Sequence, residues 1–136
     1  MVDGEQIKLV GELNDRAKGD LLRDASALLF PIDWPEPSGL VMIEAMACGT
    51  PVIAYRRGSV PEVVDEGVTG FVVDNEDEAV AAVRRIGELD RRTVRATFET
   101  RFAARRMAED YLRHYESLLQ TETRRALEPV RTMGAG

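Results

Sequence analysis

The sequence predicts an α/β fold in which a parallel sheet is flanked by helices. Two observations carry that prediction. Short apolar runs, each closed by Gly, Pro or a polar loop, alternate with longer segments whose apolar residues recur at helical spacing, the pattern of βαβ units. The chain has 136 residues, 44% hydrophobic and 31% charged, which suffices for one domain around one moderate core.

The elements follow in order. Ile7 to Val10 is a short apolar run ended by Gly11 and reads as a strand. Asn14 or Asp15 caps a helix over about Arg16 to Ala25, with Ala17, Leu21, Leu22 and Ala25 at helical spacing. Ala27 to Phe30 reads as a buried strand closed by Pro31. Trp34, Pro35 and Pro37 stiffen a loop. Ser38 is a good N-cap for a helix over Leu40 to Cys48, with Gly39 at the first helical position. Gly49 closes that helix, Pro51 forbids its continuation, and Val52 to Ala54 is the next buried strand. Ser59 to Val64 is a short helical turn with Pro61 in its first turn. Gly67 and Gly70 mark a turn before a strand at Phe71 to Val73. Asn75 and Glu78 form a capping box for a helix to about Leu89, with Ala79, Val80, Val83 and Ile86 inward. A last helix is expected over about Phe102 to Leu119, striped by Ala104, Met107, Ala108, Tyr111, Tyr115, Leu118 and Leu119. The domain is thus expected over residues 5–120. Residues 121–136 are expected as a disordered tail, frayed from Pro129 onward.

Bulk properties exclude several functions. The net charge of −6 and a pI near 4.9 argue against nucleic-acid partners, which require positive charge to displace counterions. No apolar run approaches the roughly 20 residues that span a bilayer. The N-terminus shows no basic-then-apolar secretion pattern. Cys48 is the only cysteine and His114 the only histidine, so a zinc site is not expected and a reducing, cytoplasmic setting is.

One segment stands out, DWPEPSGLVMIEAMACGTPVIAY from Asp33 to Tyr55. It follows the strand that ends at Phe30, and ligands of parallel sheets sit at the carboxyl ends of strands, beside helix N-termini. Gly39 at a helix start bares backbone N–H groups, and Leu40 and Val41 supply the next ones. With the positive end of the helix dipole, they suit a phosphate. Glu44 is a carboxylate inside an otherwise apolar helix, costly unless strong donors satisfy it. It lies about 7–8 Å along the axis from Gly39, roughly the step from a diphosphate to a nucleotide ribose. Glu36 lies on the other side of the helix start. Carboxylate, phosphate cradle and carboxylate together suit a ligand with a hydroxylated ring on each side of a diphosphate. Each residue also has a plainer reading: Glu36 as an acidic residue favoured near a helix N-terminus, Glu44 as the partner of a buried Arg or a backbone group, Gly39 as a close-packing residue.

These residues resemble the donor-binding motif of retaining glycosyltransferases of the GT-B fold, group 1 or family 4 type. That group includes bacterial glycogen synthases and mannosyl- and glucosyltransferases. The match is Glu36-PSGLVMI-Glu44 followed by AMACGTPVIA, with LLRDASALLFP before it, RRGSVPEVVDEGVTGFVV after it and RFAARRMAEDYLRHYESLL near the end. It covers about Ile7 to Leu119. The resemblance implies a Rossmann-like domain that binds a UDP-, GDP- or ADP-linked sugar and transfers the sugar with retention, using neither metal nor cofactor. It implies that Glu44 accepts the ribose hydroxyls and that the backbone at Gly39, Leu40 and Val41 holds the diphosphate. Ser38 belongs to the same donor site, and Glu36, the residue assigned to catalysis, contacts the donor sugar.

The departures are as informative. Relatives commonly carry an aromatic where this chain has Ser38. The chain is too short for the two domains of such an enzyme, so the resemblance implies the later part of the second domain, without the N-terminal acceptor domain and without the upstream basic residues. An exposed sheet edge near Ile7 to Val10 then invites homodimerisation. Arg56 and Arg57 follow a strand end and read as a solvated pair, or else as basic residues that help to hold the phosphates. The arginine-rich stretch from Arg84 to Arg106 reads as solvated helix faces balanced by Glu88, Asp90 and Glu99, or else as a peripheral contact with anionic lipid. Two rival functions remain: a non-catalytic nucleotide- or protein-binding module, and epimerisation of a nucleotide sugar.

Overall fold

The computed structural model describes residues 6–35 and 37–127, the side chains of residues 122–127 excepted. The described residues up to Thr100 form one compact unit and those from Arg101 onward a second. The first unit carries a sheet of three parallel strands, β1 (Leu28–Phe30), β2 (Val52–Tyr55) and β3 (Gly70–Val73), in the order β1-β2-β3. Leu28, Leu29 and Phe30 lie opposite Val52, Ile53 and Ala54, and Val52 to Tyr55 lie opposite Gly70 to Val73. Each connection contains a helix, as parallel pairing demands. These are α2 (Leu40–Ala47) between β1 and β2, and α3 (Val60–Val63) between β2 and β3. Before the sheet comes α1 (Asp15–Asp24), and after it come α4 (Glu76–Arg85), a 3-10 turn (Ile86–Glu88) and α5 (Arg91–Arg101).

Local sequence explains most of these boundaries. The Asn14 side chain accepts from the Ala17 amide and starts α1. Asn75 accepts from the Glu78 amide, while Glu78 reaches back to the Asp74 amide at 2.8 Å and to the Asn75 side chain at 3.0 Å. Orphan donors at the head of α4 are thereby satisfied. Strands β2 and β3 are buried along nearly their whole length, as strands of a parallel sheet covered on both faces are. Side chains alternate between the faces. Ile53, Phe71 and Val73 cluster with Ala82 of α4, and the alternate residues Val52, Ala54 and Val72 are buried too. Helix α2 packs on β1 and β2 and buries Met42, Ala45 and Met46 completely. Side chains of that size stabilise by about 1.5–3 kcal/mol each when fully buried.

Several expectations are corrected. Ile7 to Val10 is not a strand, and Ile7, Leu9 and Val10 are exposed. An apolar run becomes a strand only where a neighbour offers it a ladder, and the three-stranded order holds none for this one. The dimerising edge expected there is therefore absent, and the outer strands of the sheet are β1 and β3. Strand β1 is only half-buried, with Leu29 57% exposed, because it has one neighbour rather than two. Val80 and Val83 of α4 are also half-exposed; with Leu29, Pro31 and Tyr55 they line an open apolar groove beside β1. Helix α5, within the arginine-rich stretch, was not expected as a separate element. It buries only Val94, and it is fastened by Arg91. That guanidinium donates to the Ala25 and Arg23 carbonyls and to the Thr50 hydroxyl, tying α5 to the end of α1 and the approach to β2.

The second unit contains α6 (Ala104–Leu127). It runs past Leu119, where the apolar stripe ends; the last residues of the expected tail, 128–136, lie outside the described residues. Tyr111 and Tyr115 stack with ring centroids 6.4 Å apart and are exposed. The arginines follow the balanced-face reading, with Arg85 on Glu88, Arg95 on Glu99, Arg105 on Glu109 and Arg106 on Asp110. No helix among the described residues is long and apolar enough to cross a membrane.

Candidate functional site

The segments leaving the carboxyl ends of β1 and β2 enclose the start of α2. Gly39, not Ser38, is the residue that begins α2. It is buried and left-handed, with φ 59°, and no side chain caps the helix. Ser38 precedes the cap and is exposed. The difference has a physical reason: the chain reverses sharply at residue 39, and only glycine takes that conformation without a steric penalty. The Gly39 carbonyl accepts from the Met42 amide at 2.9 Å and the Ile43 amide at 3.4 Å. Leu40 and Val41 are the first two helical residues, whose amides have no carbonyl within the helix to meet. Leu40 is exposed and Val41 half-buried.

Glu44 does not sit in a dry interior. Its side chain is 41% exposed and accepts a hydrogen bond from Lys18 Nζ at 2.8 Å. Lys18 comes from α1, one turn after the Asn14 cap, and also stands 3.5 Å from Asp15. The hydrogen bond to Glu44 raises the Lys18 pKa, opposed by desolvation and aided by the charges of Glu44 and Asp15. Glu44 is thus partnered by a half-buried lysine rather than by the buried arginine or backbone group that the plainer reading offered. A carboxylate held by one ammonium at a half-open surface keeps acceptor capacity for a ligand's hydroxyls.

Glu36 lies outside the described residues. Of the other expected site residues, the structure gathers Gly39, Leu40 and Val41 at the head of α2, with Glu44 further along the same helix. Three further features join them, and of their residues the sequence offered only Arg57, as the alternative to its solvated reading. Lys18 is one. Asp33 and Arg57 form a second feature, an ion pair of 2.9 Å that bridges the segments following β1 and β2. Arg56 pairs separately with Asp74 at 3.3 Å, so the two arginines are individually engaged rather than a free solvated pair. Ser59 is the third. Its Oγ lies 3.2 Å from where a Cβ on Gly39 would be, and it is sealed from solvent with no hydrogen-bond partner among the described residues. No local spacing signals these contacts, because the partners are 20 to 26 residues apart and meet only through the sheet.

Residues 4–101 match the profile of the family described as Glycosyl transferases group 1. The chain belongs to that family. Individual relatives agree. A phosphatidyl-myo-inositol mannosyltransferase of Mycobacterium leprae is 30% identical over 132 residues, 96% of this chain and 34% of the relative. A D-inositol 3-phosphate glycosyltransferase of Streptomyces scabiei is 48% identical over 63 residues, 46% of this chain and 14% of the relative. A Bacillus subtilis spore coat protein SA is 35% identical over 92 residues, 61% of this chain and 24% of the relative. The chain spans about a third or less of the length of these relatives. The profile match takes in α1 to α5 and the whole sheet, so the site at the head of α2 lies entirely within it.

Proposed function

We propose that this chain carries the donor-binding half of a retaining glycosyltransferase whose donor is a sugar linked to a nucleoside diphosphate. The observation that carries the reading is the pairing of Gly39, left-handed at the head of α2, with Glu44 further along the same helix, half-exposed and held by Lys18. A diphosphate seats on the amides of Leu40 and Val41, where the helix dipole favours negative charge. The ribose hydroxyls then donate to Glu44. Charge builds on the departing diphosphate as the glycosidic bond breaks, and donors already oriented toward it stabilise that charge without reorganisation. Glu36, next to the cradle in sequence, is assigned to the hydroxyls of the transferred sugar and so positions it. The acceptor is held by a second domain of the same class of enzyme, and these 136 residues by themselves bind donor but do not turn it over.

Calorimetric titration with UDP, GDP and ADP tests the reading. The expected result is saturable binding of one nucleotide, lost in Glu44→Ala. Equal affinity of the wild-type chain and Glu44→Ala removes the ribose assignment. Binding without hydrolysis or transfer of the matching nucleotide sugar is the outcome expected of a half-site. Measurable turnover by the chain alone contradicts the need for a second domain.

A further inference from the structure

We infer that the loop Arg57–Gly58–Ser59 is the second wall of the anion site, with Arg57 supplying the cation and Ser59 a hydroxyl donor to a diphosphate-class ligand at the head of α2. The inference rests on the diphosphate reading of α2 and extends it to residues that no sequence motif assigns.

Two independent observations carry it. The first is the Ser59 hydroxyl. A buried hydroxyl without a partner is unfavourable, and such groups in folded proteins call for an explanation. This one faces Gly39: a Cβ there would stand 3.2 Å from the hydroxyl and would also meet the terminal methyl of Met42. Met42 is the adaptable kind of filler, unbranched and with three rotatable bonds. Its methyl has to give way, at some cost in binding energy, when a phosphate oxygen settles on the α2 amides, and the Ser59 O–H then has an acceptor. The second observation is Arg57. Its Nε donates to Asp33 and its Nη1 to the Arg56 carbonyl at 2.9 Å, which ties the guanidinium to the two segments that follow β1 and β2. Asp33 is largely exposed, so its hold on Arg57 is a weak surface pair. A diphosphate bearing two or more charges outcompetes it and offers the bidentate geometry a guanidinium prefers. Gly58, with φ 50°, makes the left-handed turn between Arg57 and Ser59.

The test is calorimetry on the whole chain with inorganic pyrophosphate and with UDP, GDP and ADP, comparing wild type, Arg57→Gln, Ser59→Ala and Glu44→Ala. Removing a hydrogen bond to a charged group is expected to weaken pyrophosphate and nucleotide alike, roughly tenfold for Ser59→Ala and more for Arg57→Gln. Ser59→Ala is expected to melt at or above the wild-type temperature, since it deletes an unpartnered polar atom, so its lost affinity cannot be blamed on misfolding. Nucleotide binding that Glu44→Ala abolishes but both loop variants leave unchanged overturns this inference and keeps the donor-site reading. Pyrophosphate binding weakened by the loop variants, with no nucleotide preference and no effect of Glu44→Ala, keeps the inference and overturns the ribose assignment. A folded wild-type chain that binds neither pyrophosphate nor any nucleotide overturns both.

Discussion

Gly39→Ala is the sharpest probe of the candidate site, and the structure contains its own control. Gly39 and Gly67 are both left-handed, with φ 59° and 72°. A Cβ at Gly67 meets nothing within 4 Å, whereas a Cβ at Gly39 meets the Met42 methyl and, at 3.2 Å, Ser59 Oγ. Left-handed backbone costs an L-residue about 1–2 kcal/mol, and loss of the glycine's freedom in the unfolded chain returns about 0.4–1 kcal/mol. Gly67→Ala is therefore expected to destabilise by about 1 kcal/mol. Gly39→Ala carries the same strain plus overpacking against Met42 and Ser59, a further 1–2 kcal/mol or so, for about 2–3 kcal/mol in all. With a urea dependence of about 2 kcal/mol per molar, the midpoints fall by about 0.5 M for Gly67→Ala and about 1–1.5 M for Gly39→Ala. Equilibrium urea unfolding followed by far-ultraviolet circular dichroism reads both. A Gly39→Ala midpoint no lower than that of Gly67→Ala refutes the contact argument, and a neutral Gly67→Ala refutes the strain argument beneath it.

Two further outcomes follow from the polar contacts. Thr50 is fully buried; its hydroxyl donates to the Leu22 carbonyl and accepts from Arg91, so Thr50→Val should destabilise by about 1–3 kcal/mol, visible in the same urea experiment. The raised pKa of Lys18 means that its bond to Glu44 stabilises the fold fully below the unfolded lysine value of about 10.4 and progressively less as pH rises through the folded value. The stability gap between wild type and Lys18→Gln, small because the pair is partly exposed, should thus be constant from pH 7 to 9 and shrink only as pH climbs past the ordinary lysine value of about 10.4; a gap unchanged well into that alkaline range contradicts the assignment.

Sequence by itself determined the elements whose signals lie within a few residues of one another. The caps Asn14 and Asn75, the helical spacing of α1, and the apolar runs that became β2 and β3 are of this kind, because periodicity, capping and glycine conformation are local physics. Within the candidate site, Gly39 was legible for the same reason, as a glycine at a helix start after a strand. Glu44 was legible as a charge in an apolar helix. The profile match over residues 4–101 agrees with the motif read around them.

Tertiary structure decided the rest. Whether Ile7 to Val10 became a strand depended on a neighbour that only the sheet order reveals. The start of α2 moved from Ser38 to Gly39 because the reversal after β1 demanded a positive φ, a demand set by where the sheet ends and not by capping preference. Lys18 met Glu44, Arg57 met Asp33, and Ser59 came to face Gly39, because parallel register brings the ends of β1 and β2 side by side and folds α1 against α2. Contacts between residues 20 or more positions apart leave no periodic trace in a single chain; their chemistry becomes readable once the strands have set the distances.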